Sequence, residues 1–115
     1  MRVPQWRLLA LSLVAAASAG ALIEPARAAD AALGRLMVRS TCQTCHGEDG
    51  KASVVGTPNL SGQQKEYLIA QLRAYRSGAR RNEQMSIIAK PLTDADIENV
   101  SEWYASIKVT VEAPK

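Results

Sequence analysis

Cys42-Gln43-Thr44-Cys45-His46 is the stretch on which the reading of this chain turns. Two cysteines separated by two residues, with a histidine directly after, form the pattern by which a chain takes haem c covalently. Each sulfur can add to one vinyl group of the porphyrin, and the two-residue gap lets both reach the same porphyrin edge. The adjacent His46 then lies under the iron and can supply its proximal nitrogen. Cys42 and Cys45 are the only cysteines of the 115-residue chain, and His46 is its only histidine. The motif therefore uses the whole supply.

Three plainer readings compete. A structural zinc site wants four Cys or His ligands, and only three exist here. A thioredoxin-like dithiol needs a βαβ setting, whereas the flanks of this motif carry helical patterning. A structural disulfide between Cys42 and Cys45 would close a very short loop, for little gain in chain entropy. Covalent haem attachment is the reading that accounts for all three side chains.

The N-terminus reads as an export signal over residues 1–28, leaving 29–115 as one domain. Arg2 and Arg7 make a positive start, Leu8 to Ile23 is an uncharged Ala/Leu-rich run, and Ala26-Arg27-Ala28 offers a small-x-small cleavage site. Ala17-Ser18-Ala19 is a second possible site. The apolar run falls short of the ~20 residues a spanning helix needs, so no stable membrane insertion is expected after cleavage. Export suits the motif, because haem c is attached outside the bacterial cytoplasm. The expected location is the periplasm.

The whole chain carries a formal charge of +3. Residues 1–28 hold three bases (Arg2, Arg7, Arg27) and one acid (Glu24). The charge left on the remainder is therefore about +1. No basic stripe interleaved with aromatics is present, so nucleic-acid binding has no support.

About 87 residues then remain, enough for one small domain without a generous core. That part has no Phe, and its aromatics are Tyr67, Tyr75, Trp103 and Tyr104. A domain of this size often needs a staple, and a covalently held porphyrin plate would serve as one.

Periodicity gives three main helices and no convincing strand. The first starts at Asp30 as N-cap, with Leu33, Leu36 and Met37 on its apolar face. The second opens on Ser61-Gly62-Gln63-Gln64 as a capping box, carries Leu68, Leu72 and Tyr75 in register, and stops at Gly78. The third begins with the box Thr93-Asp94-Ala95-Asp96 and buries Ile97, Val100, Tyr104 and Ile107. Residues 47–60, rich in Gly and Pro, read as loop, and the tail 109–115 as frayed. Gly34, inside the first helix, costs about 1 kcal/mol relative to Ala, which points to close packing there by Trp103 or Tyr104.

Taken together these stretches resemble the class I cytochromes c. The similarity is to small bacterial monohaem cytochromes of the c553/c554 kind and to single haem domains of cytochrome c4. It is carried by Cys42-Gln43-Thr44-Cys45-His46-Gly47 with Gly50, by Thr57-Pro58-Asn59-Leu60-Ser61-Gly62-Gln63, and by Tyr67-Leu68 through Gln71-Leu72. Arg76-Ser77-Gly78-Ala79-Arg80, Met85 and Leu92-Thr93-Asp94-Ala95-Asp96-Ile97 complete it. The fold implied is all-α, the cytochrome c fold: three main helices wrapped around one covalently bound haem c.

The resemblance also implies roles. Cys42 and Cys45 hold the haem, His46 is the proximal iron ligand, and the Pro58 carbonyl accepts the other imidazole N–H. Met85 is the sixth ligand. The methionine count agrees, since Met1 leaves with the signal and Met37 sits on an apolar helix face. Members of c4-like domains often carry several methionines here, whereas Glu83-Gln84-Met85-Ser86 offers one. The basic run Arg73, Arg76, Arg80 and Arg81 reads first as a solvated helix end, and second as a contact for a haem propionate or an acidic partner.

The function expected is a one-electron carrier, not an enzyme, that cycles between Fe(III) and Fe(II) and meets transient redox protein partners. Two rivals stand beside it. One is a sensor or enzyme with an open iron position, which would need Met85 labile and finds no second histidine for acid–base work. The other is a haem subunit held permanently on a larger oxidoreductase.

Overall fold

The computed structural model describes residues 28–115. Among the described residues every regular element is helical. Apart from Ala28, the expected export signal lies outside the described residues, and so do both candidate cleavage sites in their entirety or in part. No helix among the described residues is long and apolar enough to cross a membrane.

Helix α1 (Ala31–Met37) begins where the sequence placed it. Asp30 Oδ1 accepts from the backbone N–H of Ala32 at 2.8 Å and of Leu33 at 3.2 Å, satisfying donors that a helix start leaves orphaned. The helix does not run on regularly into the cysteines. A π-helical turn spans Val38–Cys42, with Gln43 N–H reaching back to Val38 O, and a short α2 (Gln43–His46) follows. Such a wide turn inserts a residue and re-aims every side chain after it. The motif thus faces a direction that an unbroken α1 would not give it. Periodicity carries no signal for this insertion, and it was not expected.

The buried face of α1 also differs from the expected one. Leu33 and Leu36 are 42% and 62% exposed, while Gly34 and Val38 are buried. The cause is the closeness of the crossing with α5 (Asp94–Ser106). A Cβ built at Gly34 would run into the Asn99 carbonyl and come within 3.1 Å of Trp103 Cβ. Only glycine lets the two backbones meet so closely. The close neighbour is therefore the α5 backbone, with the root of Trp103 beside it rather than an aromatic ring face. Gly34→Val is expected to cost about 3 kcal/mol or more, the upper range of overpacking penalties, because backbone cannot yield as a side chain can. Thermal unfolding of the variant should show a midpoint at least roughly 10 °C lower.

Helix α3 (Lys65–Ser77) starts later than the expected box. Gln64 stands at its N-cap without a side-chain bond, and Ser61 Oγ instead donates to Asp49 O at 2.7 Å. Gly62, at φ +65°, takes the chain out of helical geometry between Ser61 and the helix. Gly78 ends α3 in the left-handed region at φ +84°, as glycine at this position does. Helix α5 has its expected capping box: Thr93 Oγ1 accepts from Asp96 N–H at 3.1 Å, and Thr93 N–H donates to Asp96 Oδ2 at 2.9 Å.

A short α4 (Met85–Ala89) was not expected. Asn82 builds it, with Oδ1 accepting from Gln84 N–H and Met85 N–H, both at 3.0 Å. The cap signal stood in the sequence, but five residues are too few to show a helical period.

Helix α5 is the spine, with α1 crossing it and α3 packed alongside, while α4 rests on α3. The core where they meet is small: Val38, Leu68, Val100 and Tyr104, with Leu60 and Leu72 packed against it. Ion pairs tie α3 to α5 on the outside, Arg73 to Glu98 at 3.2 Å, Arg76 to Asp94 at 2.6 Å and Lys65 to Glu102 at 2.7 Å. The Arg76 hydrogen bond holds the Asp94 carboxyl below its usual range.

Candidate haem-binding site

Cys42 closes the π-helical turn, and Cys45 and His46 stand on α2 directly after it. The spacing places Cys42 and Cys45 almost one helical turn apart on the same side of the helix. Both are free thiols and half-buried. Burial pushes the Cys42 thiol up to about 11, so this sulfur keeps its proton. No cluster of three or more His, Cys, Asp or Glu side chains placed to hold a metal ion is found among the described residues, and no strand among them supplies a βαβ setting.

His46 is buried, at 7% exposure, and its Nδ1 lies 2.9 Å from Pro58 O. A carbonyl can only accept, so Nδ1 carries the proton and donates. In the neutral ring Nε2 is then the nitrogen without a proton, able to give a lone pair to a metal. No hydrogen bond to Nε2 is found among the described residues. Pro58 reaches the ring because the loop 47–60 folds back on α2. Ser53 N–H donates to Cys45 O at 3.1 Å, Ser53 Oγ donates to Thr44 O at 2.9 Å, and Asn59 Oδ1 accepts from Ala52 N–H at 2.8 Å. Gly47, at φ +75° against the Lys51 carbonyl, makes the turn at the loop's start.

The two methionines of the described residues differ in their engagement. Met37 Sδ accepts from Thr41 Oγ1 at 3.6 Å within the first helical segment, and its side chain packs on the core. Met85 stands half-buried at the start of α4, and no hydrogen bond to its sulfur is found among the described residues.

The residues fit a covalently bound haem. Two unpaired sulfurs stand beside an imidazole whose outer nitrogen is already committed to a carbonyl, and an uncommitted thioether is held on a separate helix. Cys42 and Cys45 would hold the porphyrin edge and His46 Nε2 the iron.

The arginine run divides in a way the sequence did not disclose. Arg73 and Arg76 are spent on α5, Arg76 also donating to Leu92 O at 2.9 Å. Arg80 lies over the Tyr75 ring at 4.7 Å and donates to Gln71 Oε1 at 2.6 Å. Arg81 has no ion-pair partner among the described residues and lines a cleft of about 540 Å³ with Tyr75, Ser86 and Lys90. This cleft contains none of Cys42, Cys45, His46 or Met85, so it is separate from the haem-motif residues.

The cytochrome c family model matches residues 31–108. A cytochrome c-554(548) of Halomonas halodenitrificans is 39% identical over 82 residues, which cover 69% of this chain and 98% of that protein. A thiosulfate dehydrogenase electron acceptor of Thiomonas intermedia is 39% identical over 70 residues, 60% of this chain and 32% of that protein. Among solved structures, reduced recombinant cytochrome c4 from Pseudomonas stutzeri superimposes with a TM-score of 0.66 at 32% identity, over 73% of this chain and 48% of that one. The chain thus spans nearly all of the first relative but only a third to a half of the other two.

Proposed function

The chain belongs to the cytochrome c family of haem electron carriers, and from that premise we propose that it is an exported, periplasmic monohaem carrier of single electrons between transient partners. On this reading residues 1–28 are the export signal and 29–115 the working domain. Cys42 and Cys45 would hold the haem, His46 Nε2 and Met85 Sδ would bind its iron, and the protein is a carrier rather than an enzyme. The bound haem supplies a reversible one-electron couple.

The chain's own residues do the rest. Pro58 O holds the Nδ1 proton of His46, which fixes the ring's rotation and makes Nε2 the better donor, as hydrogen bonds behind a metal ligand do. Met85 offers a soft, uncharged sulfur, which favours the reduced state and raises the potential. With His46 held by Pro58 O and Met85 placed at the start of α4, these two side chains would need to move little when an electron is gained or lost. Partner contacts are expected to be small and short-lived, as redox encounters are. The thiosulfate dehydrogenase electron acceptor among the relatives makes a periplasmic oxidoreductase a reasonable class of donor. The observation that carries the reading is the 2.9 Å contact of His46 Nδ1 with Pro58 O beside two unpaired cysteines.

The test is carbon monoxide added to the dithionite-reduced mature protein. The expected result is a c-type absorption spectrum that carbon monoxide leaves unchanged. A prompt spectral shift would remove Met85 from the iron and favour a sensor or an enzyme.

A further inference from the structure

Tyr104 holds the loop of residues 47–62 at both of its ends. Its hydroxyl donates to Gly47 O at 2.9 Å, one residue after His46. Its own carbonyl accepts from Gly62 N–H at 2.9 Å, four residues after Pro58. The neighbouring Trp103 adds a third bond, Nε1–H to Glu48 O at 2.7 Å. Its ring lies under Arg35, whose guanidinium carbon is 5.1 Å from the ring centroid and which also pairs with Glu48. Two consecutive aromatic residues of α5 thus grip the two carbonyls that follow His46 in the chain.

The arrangement bears on the His46–Pro58 contact. His46 precedes one gripped end of the loop, and Pro58 precedes the other. The distance between Nδ1 and the Pro58 carbonyl is therefore set by a closed frame whose common member is Tyr104. Tyr104 is 1% exposed. Burial pushes its phenol well above its usual value, chiefly through desolvation, so the hydroxyl keeps its proton and remains a donor. A core residue needed for packing alone has no use for a hydroxyl aimed at this carbonyl, and a phenylalanine would fill the same space.

We infer that Tyr104, seconded by Trp103, is a positioning residue for His46: by bonding both ends of the 47–62 loop it sets the His46–Pro58 hydrogen bond and so the electron-donating strength of the imidazole. The inference rests on His46 being the proximal ligand. Loosening the frame lengthens the Nδ1–H···O bond and makes the ring a poorer donor, which favours the reduced state. The sign is thus a rise in potential.

The experiment compares the haem-loaded wild type with Tyr104→Phe, Trp103→Phe and Val100→Ala. Val100→Ala removes core volume from the same helix while leaving all three bonds to the loop in place. Redox titration against a fixed mediator should shift the ratio of reduced to oxidised protein at least threefold toward reduced in Tyr104→Phe. That is about 28 mV at 59 mV per tenfold for a one-electron couple. Trp103→Phe should shift in the same direction, and Val100→Ala by less than 1.5-fold despite its lower thermal stability. The His46 ring N–H, followed by proton NMR of the reduced protein, should exchange with solvent at least tenfold faster in Tyr104→Phe. Unchanged potential and exchange in both aromatic variants would overturn the inference, as would an equal shift in Val100→Ala. Failure of the underlying reading looks different: the wild type itself would then lack the displaced N–H resonance of an iron-bound imidazole.

Discussion

Replacing Cys42 and Cys45 together with serine is expected to leave a chain that no longer melts cooperatively. Serine cannot form a thioether, so the porphyrin would lack its covalent attachment. The described residues fully bury few large side chains, chiefly Val38, Ile97 and Tyr104, with Leu68 and Val100 nearly so. Each such burial is worth about 1.5–3 kcal/mol, against a conformational cost of about 1–2 kcal/mol for every backbone residue ordered. A domain this small rarely closes that gap from its own side chains. Helix α4 illustrates the difficulty, since it packs chiefly on α3 and Ile87 on it is 73% exposed. Circular dichroism at 222 nm during heating makes the comparison. The double variant should show well under half the wild-type helix signal at 25 °C and a broad, sloping loss. A sharp transition of wild-type amplitude would mean that α1, α3 and α5 hold one another without the haem, and that the porphyrin is cargo rather than core.

Met85→Ala should have the largest effect on the redox chemistry itself. The thioether favours the reduced state, and without it the sixth position falls to water or a stray donor. The potential should fall by more than the ~59 mV that a tenfold change in the one-electron equilibrium represents. The reduced variant should also bind carbon monoxide, which the wild type is expected to refuse. The fold should survive: Met85 is half-buried, and α4 is started by Asn82 through backbone donors that alanine keeps. Met37→Leu is the matched control. Its sulfur already accepts from Thr41, so leucine there should leave both potential and carbon monoxide response as they were. If the two variants behaved alike, the assignment of Met85 as ligand would be lost.

How far the sequence could be read follows from the range of each signal. The haem motif, the Asp30 cap, the Thr93–Asp96 box and the Gly78 stop are all local. Each is settled by residues within a few positions of one another, so each was legible. The fold family was legible for a related reason: spaced local signals in a fixed order are far more specific than any of them alone. The errors came where a local preference met a distant neighbour. Ser61 has the chemistry of a cap, but Asp49 O offers its hydroxyl a partner and Gly62 turns the chain away from helix. Leu33 and Leu36 have the period of a core face, but the α5 backbone at Asn99 pulls the Gly34–Val38 edge inward instead. The split of the arginines between α5 and the α3–α4 cleft was hidden for the same reason, because Asp94 and Glu98 lie some twenty residues away along the chain.

The sequence by itself determined the chemistry offered to a haem, the caps that begin α1 and α5, the glycine that ends α3, and which family the whole belongs to. Those features depend on covalent spacing and on bonds between near neighbours, whose energies do not wait for the chain to fold. Only the tertiary structure decided that Tyr104 closes the loop between His46 and Pro58 from both ends, that Arg73 and Arg76 go to α5, and that Gly34 meets the α5 backbone at Asn99. Each of these joins groups brought together by packing. A hydrogen bond of about 1 kcal/mol net cannot bring such distant segments together unaided, so its partner becomes visible only once the core has already placed it.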